Sequence, residues 1–144
     1  FKSMNNGRDD GRVATLPVRR AEARAVKGLI KQRFGEGWRE ANWIVLGDLN
    51  AYRFGLGPLA DIVDEGESGI EPLLDNFAID PMETLPAHER WTHFRRYWSE
   101  AREQLVETHM PLDHILLSPA LASANPHPAL QMIRRGLPYR VPLD

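Results

Sequence analysis

Cysteine is missing from all 144 residues. Its absence excludes disulfides, thiolate metal centres and a cysteine nucleophile, and is compatible with any redox compartment. Long apolar runs are missing as well. No stretch approaches the roughly 18 residues needed to cross a bilayer, so no transmembrane segment is expected, and the first residues carry none of the marks of a signal peptide. An excess of one charge is also lacking: 18 Lys and Arg stand against 20 Asp and Glu, a formal net charge of -2. Bulk electrostatics therefore give no reason to expect a nucleic-acid partner, and only a local patch could supply one. Histidine is sparse too. None of His88, His93, His109, His114 and His127 forms a pair at a recognised zinc spacing on a helix.

What remains is the composition of an ordinary globular protein, 42% hydrophobic and 26% charged, at the length of one domain. The chain opens on "FKSMNNG" without an initiator Met and closes on "PYRVPLD". Both ends read as cuts through a longer protein, so residues 1–144 are expected to form a single, incomplete domain.

Along the chain, "NNGRDDG" is dense in residues that tolerate turns and reads as a loop. From Pro17 to Phe34 the pattern becomes helical, with Thr15 a candidate cap and Gly35 a suitable stop. Val18, Ala21, Ala25, Val26, Leu29 and Ile30 recur at helical spacing, while Arg19, Arg20, Arg24, Lys27 and Lys31 fill what reads as a solvated face. "WIVLG" is a short continuous apolar run, the pattern of a strand buried on both faces in a layered α/β architecture. "GLGPLADIVDEG" reads as a loop with one or two helical turns, and "LLDNFAIDPMETLP" as short apolar pieces between turns. "RWTHFRRYW", "PLDHILLSP" and "ALQMIRRGLPYR" are expected strands.

The first apolar strand ends on "GDLN". Side chains two apart on an extended strand share a face, so Asp48 and Asn50 can project together from its end. A carboxylate at the edge of an apolar layer is costly to desolvate unless paired, hydrogen-bonded or near a cation. Asp48 therefore needs a partner, either the backbone N–H groups of the next turn or something in a cleft. "MPLDHILLSP" supplies a second isolated carboxylate, Asp113, inside another apolar strand, with His114 on the opposite face. Two strands with one such carboxylate each are what a cleft between them requires.

"WIVLGDLN", then "RWTH", then "LDHILLSPAL", in that order, resemble the endonuclease/exonuclease/phosphatase family, and "FKS" resembles the end of that family's "NHFKS"-type strand. The resemblance implies part of a four-layer α/β/β/α sandwich of the DNase-I-like type. It also implies hydrolysis of phosphoester bonds with Mg2+ or Mn2+. Asp48 then resembles the aspartate that orients or deprotonates the attacking water, or that holds a metal ion. Asn50 resembles the asparagine that holds phosphate or water beside it. Asp113 resembles the aspartate that orients a catalytic histidine, which lies in a C-terminal Ser-Asp-His motif that this chain does not contain. The family's metal-binding glutamate and an early asparagine are expected upstream of Phe1. With about half of the constellation present, the chain by itself is expected to hydrolyse phosphoesters poorly or not at all. The resemblance leaves the substrate open among nucleic acid, phosphorylated small molecules and lipids. It also leaves a second reading, a non-catalytic phosphate- or nucleic-acid-binding module of the same fold.

"HERWTHFRRYW" interleaves Arg90, Arg95 and Arg96 with Trp91, Phe94, Tyr97 and Trp98. Such a mixture can grip a sugar-phosphate chain through phosphate contacts and stacking, or form a strand with one packed and one charged face. In the resembled family this region borders the substrate cleft, so Trp91 and Thr92 are candidates to line it, with Arg95 and Arg96 at the surface. Lys2 and Ser3 are weaker candidates for phosphate contact.

Overall fold

A computed structural model describes residues 1–3, 11–51, 68–100 and 103–135. The expected loop at "NNGRDDG", apart from Gly11, the segment "GLGPLADIVDEG" and the last residues of the expected third strand lie outside these ranges. The fold class is mixed α/β, built from helices and small antiparallel sheets.

Helix α1 runs from Gly11 to Phe34, starting earlier than the sequence pattern indicates, with Pro17 and Thr15 inside it rather than at its start. Gly35 ends it in the left-handed region at φ +59, where a residue lacking Cβ is unstrained. A short 3-10 turn, Gly35–Arg39, leads to strand β1, Ile44–Asp48. Helix α2 (Glu71–Leu74) follows, then 3-10 turns at Pro81–Thr84 and Ala87–Glu89. Strands β2 (His93–Ser99), β3 (Gln104–Met110) and β4 (Asp113–Leu117) precede helix α3, Pro119–Ala124. Strand β3 is an addition to the sequence reading. Residues 129–135, expected as the start of a strand, have no regular structure.

The face of α1 that packs is not the one that the apolar spacing suggests. Thr15, Arg19 and Ala23 are buried and Val26 and Ile30 half-buried, whereas Val18, Ala21, Ala25 and Leu29 are exposed. Arg19 is the main correction: its side chain is 0% exposed rather than solvated. The guanidinium is satisfied inside, donating from Nε to the Ser68 carbonyl (3.3 Å) and from Nη1 to Thr15 Oγ1 (2.5 Å). Buried cations persist only where hydrogen bonds replace water. The neighbouring loop comes so close that a Cβ on Gly69 (φ +94) would lie 2.9 Å from Arg19 Cβ, so only glycine fits there.

One core joins α1, α2 and β1. Its centre is aromatic: the Phe77 ring lies 4.3 Å from that of Trp38 and 5.1 Å from that of Trp43, stacked on both. The Trp43 indole N–H donates to the Trp38 carbonyl at 2.7 Å, so the polar end of this buried ring is satisfied. Ala23, Leu49, Ala51, Ile70, Leu73, Leu74, Ala78 and Leu116 complete the cluster.

Two antiparallel sheets form, β1 with β4 and β2 with β3. In the first, Ile44 faces Leu117, Leu46 faces Ile115 and Asp48 faces Asp113, and a bridge from Ile79 to Leu117 adds a third segment. Strand β1 is not buried on both faces. Val45 and Gly47 turn towards the core side, while Ile44, Leu46 and Asp48 are exposed, Leu46 to 71%. A continuous apolar run cannot by itself distinguish a doubly covered strand from a half-covered one. Here one apolar face, made by Ile44, Leu46, Ile79 and Ile115, stays exposed among the described residues.

Candidate functional site

The antiparallel register makes Asp48 and Asp113 direct cross-strand partners. Directly opposed residues point to the same side of a sheet, here the exposed one. Leu49 donates its N–H to the Leu112 carbonyl and Ser118 donates to the Trp43 carbonyl. Asp48 and Asp113 lie one residue from the first of these pairs and five from the second, an odd step from each, and so form a non-hydrogen-bonded pair, the type in which opposing side chains come closest. Like charges placed so are destabilising in a sheet.

Strand β1 ends in a tight structure. Gly47 has φ +133, accessible without strain only to glycine. The next residue, Asp48, accepts the Asn50 N–H on Oδ1 at 2.8 Å, closing an Asx-type turn. Asn50 itself is left-handed at φ +47, a conformation that Asn tolerates better than other residues with a Cβ. Its Nδ2 donates to the Phe1 carbonyl at 3.1 Å, and the Phe1 nitrogen donates to the Asp48 carbonyl at 3.2 Å. The "FKS" segment thus lies against the end of β1, and the Asn50 amide keeps its oxygen as an acceptor.

Asp113 is placed from the other side. Thr92 Oγ1 accepts the N–H groups of both Leu112 and Asp113, each at 3.0 Å, which fixes the chain where β4 begins. Thr92 and Asp113 border one cavity of about 120 Å3, with Pro81, Met82 and Met132 on its other walls. Trp91 is 5% exposed, with the Arg134 guanidinium over its ring at 4.1 Å and the His109 ring edge-on at 4.6 Å. The indole is committed to that packing. Arg95 and Arg96 are exposed on β2, with Arg96 paired to Glu107 at 3.6 Å.

Two residues that sequence reasoning did not single out as a site lie directly behind the aspartates. His114, on the core face of β4, is 4% exposed. Its Nδ1 is 2.9 Å from Asp80 Oδ2, and its Nε2 is 2.7 Å from the Ala51 carbonyl oxygen. The Asp80 carboxylate also accepts the Met82 N–H on Oδ1, capping the turn at Pro81. Burial alone lowers the pKa of His114. The hydrogen bonds to Asp80 and to the Ala51 carbonyl, with the charge on Asp80, outweigh it and hold the pKa above the ordinary 6.5. A signal did exist in the sequence: a histidine on the buried face of an apolar strand must find polar partners.

The sign of the pH effect follows from that direction. A pKa raised on folding contributes stability that is fully present below about pH 6.5 and is lost as pH rises through the folded-state value. We expect the stability difference between wild type and His114→Gln to be largest below about pH 6.5 and to shrink as pH rises above it. Urea unfolding of both proteins across that range measures it, and a difference growing with pH would contradict the direction.

Among the described residues no group of three or more His, Asp or Glu side chains converges on a point that could hold a metal ion. Two carboxylates and an amide oxygen are what the end of the sheet offers. Mg2+ often binds through only one or two carboxylates, with waters and substrate phosphates completing its octahedron. No helix among the described residues is long and apolar enough to cross a membrane. No family model, curated protein or solved structure matches the chain.

Proposed function

We propose that the chain belongs to a divalent-metal-dependent phosphoester hydrolase with a DNase-I-like four-layer sandwich. The observation that carries this reading is the register of Asp48 directly against Asp113 on an exposed face, with Asn50 beside them. A like-charge pair that lowers sheet stability fits a role in binding or catalysis better than one in folding. The uncovered apolar face of Ile44, Leu46, Ile79 and Ile115 supports the sandwich, since a second sheet would bury it.

In this reading Asp48 orients the attacking water for in-line displacement at phosphorus and is the side chain available here to a metal ion. Asn50 holds a phosphoryl oxygen or that water, and Asp113 orients a charge-stabilising partner at the same edge. Thr92 fixes the start of β4 at Asp113 and borders a cavity together with it. Bound Mg2+ or Mn2+ supplies neutralisation of the phosphoryl oxygens. The substrate is a phosphoester: nucleic acid, phosphorylated small molecule or lipid.

One observation favours a second reading. The hydrogen bond from Asn50 N–H to Asp48 Oδ1 is what a turn-capping aspartate makes, and a non-catalytic binding module would need no more. The test is a panel of phosphoesters, beginning with bis(p-nitrophenyl) phosphate, offered to the full-length protein with Mg2+ or Mn2+ and again with EDTA. Metal-dependent hydrolysis of at least one is expected. No turnover of any, with phosphate-containing ligands still bound, would establish the binding module instead.

A further inference from the structure

We propose that His114 is a positioning residue for the turn at 48–51, acting through the Ala51 carbonyl from behind the sheet. The proposal rests on the phosphoesterase reading for its catalytic consequence, but its structural half stands on hydrogen-bond chemistry alone.

A carbonyl oxygen only accepts, so the 2.7 Å contact with Ala51 requires a hydrogen on His114 Nε2. The other ring nitrogen faces a carboxylate oxygen at 2.9 Å, and that carboxylate is itself held by the Met82 N–H. Asp80 thus fixes the ring, and the ring fixes Ala51. The relay joins three separate segments: the turn at Pro81–Thr84, strand β4 and the exit of β1. His114 sits opposite Gly47 in the register, immediately behind the position where Asp48 and Asp113 meet.

The turn that carries Asp48 and Asn50 needs such an anchor. Its entry is held by the Leu49 N–H on the Leu112 carbonyl, and its centre by the Asx bond. Its exit is held by the Ala51 carbonyl, which is buried and accepts from His114. Asn50 lies between these anchors in a left-handed conformation, which persists only where surroundings over-determine it. Releasing Ala51 lets Asn50 relax and shifts its side-chain amide relative to Asp48 and the Phe1 carbonyl. Phosphoryl transfer depends on that alignment, and misplacement by about 1 Å can cost on the order of 100-fold in rate.

The first arm uses the unaltered protein labelled with 15N and 13C. A scalar coupling across the hydrogen bond, from His114 Nε2 to the Ala51 carbonyl carbon, is expected, and its absence in the folded protein would overturn the proposal whatever the activity. In the second arm, His114→Phe in the full-length protein keeps a ring in the cavity without the donor. It should shift the Asn50 and Ala51 amide resonances and lower kcat for metal-dependent phosphodiester hydrolysis by roughly 10- to 100-fold with little change in KM. His114→Gln, which retains an N–H donor, should recover part of that loss. A folded His114→Phe protein with wild-type kcat would reject the positioning role. If the unaltered protein shows the coupling but hydrolyses no phosphoester, the functional reading fails while His114 still anchors the turn.

Discussion

In the full-length protein, Asp48→Asn is expected to leave the fold intact while removing most of the metal-dependent hydrolysis proposed for it. The substitution separates the turn-capping role seen in the structure from the catalytic role proposed for the same side chain. Asn keeps an Oδ1 that can accept the Asn50 N–H, so the Asx turn at 48–50 survives. What it removes is charge, and with it the carboxylate that faces Asp113. If Asp48 only caps the turn, Asp48→Asn should be nearly silent in both stability and activity. If it orients water or holds the metal ion, the rate should fall by roughly 100- to 10,000-fold, the range that general acid–base assistance typically supplies. Stability should hold or rise slightly, because a like-charge cross-strand pair has been relieved. Thermal unfolding and initial rates measured on the same preparation decide it. Gain in stability with loss of rate marks a side chain kept for function. Unchanged hydrolysis would dismiss Asp48 from the mechanism.

The sequence made β1 and β4 legible because both are short apolar runs closed by Gly, Pro or Ser. It made the two isolated aspartates visible because carboxylates inside apolar strands are costly unless something compensates. Their meeting was not legible. Positions 48 and 113 oppose one another only through an antiparallel register, and a shift of one residue would send the side chains to opposite faces. Strand β3 was missed for a related reason: "QLVETHM" alternates only weakly, with Thr108 rather than a large apolar residue on the buried side. The sequence between β2 and β3, residues 100–103, has none of the Gly, Pro or Asn that usually signals a hairpin.

Helix α1 shows how side-chain chemistry overrides pattern. Helical spacing picked out Val18, Ala21, Ala25, Val26, Leu29 and Ile30 as the packing stripe; Val26 and Ile30 do pack against the core, yet the helix is rotated so that Arg19 and Thr15 go inside and Val18, Ala21, Ala25 and Leu29 face out. An arginine can do so when a hydroxyl and a carbonyl meet its N–H groups, and the carbonyl comes from Ser68, distant in sequence. Asp80 and His114 were overlooked on the same account. Their value lies in a contact across 34 residues, and each looks ordinary in its own neighbourhood.

Phe77→Ala is expected to cost about 3–5 kcal/mol, the range for deleting a buried aromatic ring. The ring is 2% exposed and packed against two indoles, so its removal opens a cavity bordered by rigid side chains that collapse poorly. Lys27 Nζ lies 4.8 Å from the ring centroid, but a cation–π contact of that kind contributes only about 0.5–1 kcal/mol, so burial and stacking set the size of the effect. Set against a typical total of about 5–15 kcal/mol, the loss takes up much of the margin. Phe77→Leu, which keeps most of the volume, should be much milder. Urea unfolding of the three proteins tests this, and a Phe77→Ala loss below about 1 kcal/mol would mean that the aromatic cluster is not the centre of the core. The consequence for the site is indirect. Phe77 anchors the segment that continues through Ile79, bridged to Leu117 of β4, to Asp80, which holds His114. In the full-length protein, the hydrolysis proposed for this site should therefore fall, per folded molecule, only as far as that segment loosens.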